Sequence, residues 1–99
     1  MEWNTLTPST EYLKIDLPEM VSFNYIKIMF YVTDGRTYTW HCDYSADNAT
    51  WNSLVAEKKT IGSYIEYFSK DINAKHIRVK GTNSVNAFLQ LVKFKLDNL

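Results

Sequence analysis

The sequence contains few of the residues that mark special classes of protein. Its 99 residues include a single cysteine, Cys42, together with three glycines and two prolines. A lone cysteine excludes an internal disulfide, and so little Gly and Pro excludes a low-complexity or linker-like chain. Small secreted domains are commonly held together by disulfides, and the N-terminus lacks a charged start followed by an apolar stretch. We therefore expect an intracellular, cytoplasmic protein.

An excess of either charge is also lacking, since eleven basic residues balance eleven acidic ones. Phosphate-driven binding requires a basic surplus, so we expect no nucleic-acid partner. No apolar run approaches the ~18 residues that a membrane span needs. Glycine-rich phosphate loops and nucleophile elbows are absent as well, so we expect no cofactor, no catalytic residue and no enzyme activity.

What the chain does have is aromatic residues and a period of two. Leu13, Ile15 and Leu17 alternate with charged residues, as in a half-buried strand. Comparable patterns predict strands over residues 12–17, 25–32, 37–44, 51–57, 63–68, 76–80 and 88–96. Pro18 is expected to end the first strand, residues 70–75 to form a polar connection, and a bulge near Gln90 to reconcile the last pattern. About seven short strands without a helix predict one all-β domain, an antiparallel β-sandwich over residues 12–99 that follows an arm over residues 1–11.

Two turns stand out between the predicted strands. Asp34-Gly35 separates two alternating runs, which is a signal for a β-hairpin. The stretch Asp43–Trp51 is polar, with Asp47 and Asn48 placed to bond the backbone of their own turn. We expect Trp51 to pack on the core and the whole stretch to be structural.

Three stretches, in this order, resemble the discoidin family, that is the factor V/VIII type C domains with a galactose-binding-like jelly roll. The first is Tyr12–Leu17 followed by Tyr25–Ile28, the second is Asp43–Trp51, and the third is His76–Asn83. The resemblance implies an antiparallel jelly roll, here shortened at its N-terminus. The nearest variant is the intracellular discoidin domain of BTB adaptor proteins, whose motifs are similar to 34–38 and 81–84.

The resemblance implies a non-catalytic recognition module. Intracellular members mostly serve protein assemblies, so we expect a protein partner. A first alternative is a carbohydrate-binding, lectin-like module, and a second is a structural subunit of a ciliary or cytoskeletal complex. Lipid-binding members carry hydrophobic residues on the hairpin that corresponds to Thr33–Arg36, and the polar hairpin here argues against a lipid partner.

The resemblance also implies where a ligand would dock. One end of the sandwich is expected to gather the segments around Leu6–Thr10, Asp34–Arg36 and Thr82–Asn86. Polar side chains on rigid loops are where recognition is usually placed. The candidate ligand-binding residues are Asp34, Arg36, Asn83, Ser84 and Asn86. The alternative for these residues is ordinary turn chemistry.

Two further groups carry chemistry without predicting a site. His41, Cys42 and Asp43 include three metal-ligand types, but adjacent strand residues point to opposite faces, so we expect no metal site. Cys42 is expected to be a buried small hydrophobe. His76, Arg78 and Lys80 share one strand face, which predicts either a solvated surface or a patch for an acidic partner.

Overall fold

The computed structural model describes residues 2–4, 13–30, 37–81 and 91–98, and every described element is a β-strand. The strands are β1 (Glu2–Asn4), β2 (Leu13–Phe30), β3 (Tyr38–Ser45), β4 (Asn52–Thr60), β5 (Ser63–Gly81) and β6 (Leu91–Asp97). All pairings are antiparallel, in the order β1-β6-β2-β5-β3-β4. The predicted all-β antiparallel architecture is therefore confirmed. Within the described part of the chain, no helix is long and apolar enough to span a membrane.

Strands β2 and β5 bend, and the bend turns one hydrogen-bonded sheet into two packed layers. Eighteen straight residues would extend about 60 Å, whereas the longest dimension of the molecule is 36 Å. The register of β2 against β5 shifts between Asp16 and Val21 and again between Phe23 and Tyr25. Residues 13–17 and 76–81 therefore pair in one layer with β3 and β4, while residues 25–30 and 63–67 pair in the other with β6 and β1.

Two sequence predictions about strand ends are wrong for this reason. Pro18 does not end a strand, because it lies in the irregular stretch of β2 that has no Cα partners in β5. Residues 70–75 are not a separate connection, because they form the part of β5 that crosses between the layers. Four expected strands thus merge into two long ones. The structure also adds a strand inside the N-terminal segment, since Glu2–Asn4 pairs with β6.

The described parts of β2 and β3 do not pair as the two arms of a hairpin, contrary to the prediction from Asp34-Gly35. Among the described residues, β2 and β3 share no paired positions, because β5 lies between them. The chain instead passes from one layer to the other, and the ring of Phe30 stacks on that of Tyr38 at a centroid distance of 5.0 Å. Asp34 and Gly35 themselves lie outside the described residues.

The core lies between the layers and follows the predicted alternation. Leu13, Ile15 and Leu17 are buried in the first half of β2, and Ile26, Ile28 and Phe30 in its second half. The largest fully buried side chains include Trp40, Phe23 and Phe94, and Cys42 is buried as predicted. The expected irregularity near Gln90 lies at Val92, since Met29 pairs with Lys93 and Phe30 with Leu91. Gln90 is outside the described residues.

Candidate functional site

All five candidate ligand-binding residues lie in segments outside the described residues. Asp34 and Arg36 fall in 31–36, and Asn83, Ser84 and Asn86 fall in 82–90. The positions of their side chains are therefore not described, and their roles stay predictions. The described residues on either side of these segments do show which end of the sandwich the segments leave and rejoin.

The residues that flank the segments lie together at one end of the two layers. In the first layer Leu13 pairs with Val79, and Trp40 pairs with Gly81. In the second layer Phe30 pairs with Leu91. The Phe30 ring lies 5.3 Å from the Trp40 ring, so the two layers meet at this same end. The segments 5–12, 31–36 and 82–90 all adjoin this end, which we call the loop end.

An aromatic cluster forms a rigid base beneath the loop end. Phe30 stacks on Tyr38, and Trp40 contacts Tyr64 edge-on at 5.4 Å. Phe30, Tyr38 and Trp40 are each at most 4% exposed. Aromatic pairs in such edge-on and offset geometries stabilise one another beyond the area they bury. The base therefore holds in place the described residues that flank these segments.

Polar contacts close the base. Trp40 Nε1 donates to Thr60 Oγ1 at 2.8 Å, and the backbone N–H of Phe30 donates to the carbonyl of Gly62 at 2.9 Å. Gly62 has a φ of 69°, a left-handed conformation that favours glycine. The sequence did not reveal Thr60, because its partner is 20 residues away and belongs to no local pattern.

Tyr64 lies at the rim of the base and stays neutral. Its hydroxyl donates to Glu66 Oε1, and the Lys58 ammonium lies 5.5 Å from its ring centroid. Desolvation by burial, followed by the hydrogen bond to Glu66, raises the pKa of Tyr64 to about 12. A phenol with so high a pKa is a hydrogen-bond donor and not a nucleophile at neutral pH.

The turn within Asp43–Trp51 lies at the opposite end of the first layer and is structural, as predicted. Asp47 Oδ1 accepts from the backbone N–H groups of Ala49 at 2.9 Å and Thr50 at 2.8 Å. The fully buried Ser45, which sequence reasoning missed, accepts from the Asn48 N–H at 2.9 Å. The hydrogen bonds that Asp47 accepts lower its pKa, and the bond from the Thr50 N–H is the largest cause. Asn48 adopts a φ of 64°.

Trp51 does not join the core, which corrects the prediction. Its ring is half-buried on the outer surface, where the Arg78 guanidinium carbon lies 4.1 Å from the ring centroid. Arg78 Nε also donates to Asp43 Oδ2 at 2.9 Å, and His41 Nε2 lies 3.7 Å from the same oxygen. The side of β5 that carries Arg78 points away from the core and is partly covered by β3 and the turn. Trp51 packs on this side, which is why the prediction of a core position was wrong.

The predicted basic face is thus engaged within the molecule. Arg78 bonds Asp43, and His76 Nδ1 lies 2.7 Å from Asp16 Oδ1. The hydrogen bond with His76 lowers the pKa of Asp16. In the described ranges, no three His, Cys, Asp or Glu side chains are grouped to hold a metal ion. These contacts leave little of the face as a free patch for an acidic partner.

A shallow cavity lies away from the loop end. It has a volume of about 230 Å³ and is lined by Val21, Ser22, Phe23, Leu96, Asp97 and Asn98. It opens where β2 crosses between the layers, beside the end of β6. Its described lining contains no cluster of catalytic groups.

Solved structures with the same fold include carbohydrate-binding modules. The chain superposes on a pectin-binding module with a TM-score of 0.76 at 18% identity, covering 98% of this chain and 71% of that one. The CBM32 module of AlyQ, solved with 4,5-unsaturated mannuronic acid, gives 0.68 at 23% identity, covering 99% and 76%. A CBM32 module of a family 31 glycoside hydrolase from Clostridium perfringens gives 0.71 at 18% identity, covering 88% and 68%.

At these identities the structural likeness shows the fold, which is the galactose-binding-like β-sandwich. No curated protein matches the sequence significantly. The model of a protein family does match, under the description F5/8 type C domain, over residues 2–94. This range includes β1, so the family's fold begins inside the segment that the sequence pattern assigned to an arm. The chain belongs to the F5/8 type C, or discoidin, domain family.

Proposed function

We propose that this chain is a carbohydrate-binding module that binds its sugar at the loop end. The observation that carries the proposal is the superposition on a pectin-binding module over 98% of the chain, together with membership of a family of recognition domains. The module of AlyQ that binds an unsaturated mannuronic acid supports the same ligand class. Of the functions expected from the sequence, this is the one that was given as the first alternative.

The main expectation, a protein-binding module in an intracellular assembly, has less support. No comparison connects the chain with BTB adaptor proteins, and none points to a protein partner or to a ciliary or cytoskeletal complex. The basic strand face that was considered for an acidic partner is occupied by Asp16 and Asp43. The intracellular, cytoplasmic location stays a prediction.

The chemistry of the predicted residues suits a sugar. Asp34, Asn83, Ser84 and Asn86 supply acceptors and donors for hydroxyl groups. Arg36 adds a planar guanidinium, which pairs with a carboxylate through two parallel hydrogen bonds and so favours an acidic sugar. The aromatic base fixes the described residues from which these segments start, and a preorganised site loses less entropy on binding.

The module itself is proposed to be non-catalytic. The family consists of recognition domains, and the Clostridium perfringens relative is one module of a glycoside hydrolase. The Tyr64 phenol, with its pKa of about 12, is not poised for proton transfer at neutral pH. A module of this kind keeps the polysaccharide close to the protein of which the module is a part.

A glycan array followed by calorimetric titration tests the proposal. Arg36→Ala and Asn83→Ala are expected to weaken binding of the recognised sugar about tenfold or more, the effect of losing a charged or neutral hydrogen bond in a site. Lys75→Ala removes a cation and Asn73→Ala an amide at exposed positions of β5, and the two variants serve as controls. Silence across neutral and acidic glycans, or equal binding by Arg36→Ala and Lys75→Ala, would contradict the proposal.

A further inference from the structure

The outer face of the second layer exposes apolar side chains that its neighbours do not cover. Tyr67 is 66% exposed and Ile65 is 46% exposed, both on the outward side of β5. Among the described residues of this layer, 63–67 form an edge that pairs with β2 alone. Exposed apolar side chains that lie together on a sheet mark a candidate interaction surface.

The neighbours of these two side chains are basic. Lys27 is the cross-strand partner of Ile65 on one side and of Lys95 on the other, and Met29 is the partner of Lys93. Three lysines thus lie in the outward register of β2 and β6, and one of them, Lys95, has its Nζ 3.9 Å from Asp97 Oδ2. Glu2 occupies the register position next to Lys95, on the far side from Tyr67.

The Tyr67 ring is held in place by a buried ring. Tyr25, only 8% exposed, contacts it edge-on with a centroid distance of 5.1 Å. One face of Tyr67 is therefore presented at a fixed position and loses little freedom on binding. Lys27 lies on the neighbouring strand, diagonal to Tyr67, and diagonal cross-strand neighbours are ~7–8 Å apart. The two side chains are therefore close enough for one short saccharide to contact both.

From this arrangement we infer that the outer face of the second layer binds an acidic polysaccharide, separately from the loop end. The apolar face of one sugar ring packs on Tyr67 and Ile65, and the carboxylate of a neighbouring uronic acid residue meets Lys27. Lys27 thereby supplies the charge complementarity that selects the acidic polymer.

Isotope-labelled protein titrated with oligogalacturonate tests the inference in the Arg36→Ala background, where loop-end binding is expected to be weakened. Backbone shifts are expected at residues 25, 27, 65, 67 and 95. Tyr67→Ala and Lys27→Gln are expected to weaken binding about tenfold, whereas Ile61→Ala and Lys70→Gln, at other exposed positions, leave it unchanged. Methyl-esterified oligogalacturonate, which lacks the charge, is expected to bind more weakly.

Several results would overturn the inference. These are shifts confined to another surface, equal binding by the sheet variants and their controls, equal binding of polyglutamate or single-stranded DNA, and a dimer that Tyr67→Ala dissociates. The last would assign the edge to self-association. The two proposals fail separately. If Arg36→Ala loses sugar binding and Tyr67→Ala keeps it, the loop end is supported and the sheet face is rejected. If Tyr67→Ala loses sugar binding and Arg36→Ala keeps it, the sheet face is supported and the loop end is rejected.

Discussion

The Arg78 guanidinium covers the Trp51 ring, with its central carbon 4.1 Å from the ring centroid. Its Nε is at the same time bonded to Asp43 Oδ2 at 2.9 Å. A guanidinium over an aromatic face is attracted by the ring's quadrupole, and the carboxylate fixes its orientation. The pair joins the β3–β4 turn to β5, so Trp51 stabilises the outer surface of the layer.

Arg78→Ala is expected to lower the free energy of unfolding by about 1–2 kcal/mol, because it removes the cation–π contact and the hydrogen bond to a largely buried carboxylate. Urea unfolding followed by circular dichroism measures the change. Lys75→Ala, an exposed cation on the same strand, is the control and should stay within about 0.5 kcal/mol of the parent. A double-mutant cycle with Trp51→Ala isolates the contact, and a coupling energy near zero would contradict the assigned role.

Thr60→Val is expected to cost about 1–2 kcal/mol, because it leaves the Trp40 Nε1–H without an acceptor in the core. Trp40 is fully buried and its hydrogen bond to Thr60 is 2.8 Å long. Thr60→Ser keeps the hydroxyl and is the matched control. Strand propensity favours Val over Ser, so a Val variant less stable than the Ser variant in urea unfolding points to the hydrogen bond. The opposite order would refute this account.

Asp47 is expected to make stability depend on pH in the acid range. The backbone hydrogen bond from Thr50 is the main cause of its lowered folded pKa. Because the pKa is lower in the folded than in the unfolded chain, the stabilisation is fully present above the unfolded value of ~3.9 and is lost as pH falls through the folded value.

Thermal unfolding of the parent and Asp47→Asn from neutral pH to pH ~2 measures this effect. The parent is expected to be the more stable protein near neutrality, with the difference shrinking below pH ~4. Asp71→Asn, at an exposed position of β5, is the control for loss of a carboxylate. A difference between the parent and Asp47→Asn that does not vary with pH would rule out the carboxylate as its source.

Local pattern was enough to predict much of this fold. The alternation of Leu13, Ile15 and Leu17 with charged residues identified the buried face of β2 correctly. The polar turn was also predicted correctly, because Asp47 bonds backbone groups only two and three residues away. Such contacts depend on neighbours in sequence, which a single chain displays directly.

Contacts between distant strands could not be predicted in this way. The bend that carries β2 past Pro18 depends on pairing with β5 some 60 residues later, as does the His76–Asp16 contact. The pairing of Arg78 with Trp51 required the register of β5 against β3, and sequence periodicity gives only the face of each strand. For the candidate site, the family resemblance indicated the segments, while the Trp40–Thr60 base beneath them appeared only in the structure.

Cys42 is expected to be unreactive in the folded protein. Its side chain is fully buried, and desolvation, with a smaller contribution from the charge of Asp43, raises its thiol pKa well above the usual value. The thiolate is the reactive species, so both access and ionisation are suppressed. Labelling with a disulfide reagent at mildly alkaline pH should therefore be negligible without denaturant and should rise with urea in parallel with unfolding.

Ala46→Cys in a Cys42→Ala background places a thiol on the exposed β3–β4 turn and is expected to react at once. Rapid labelling of native Cys42, at a rate independent of urea, would show that the two layers open locally around β3 and would contradict a closed core there.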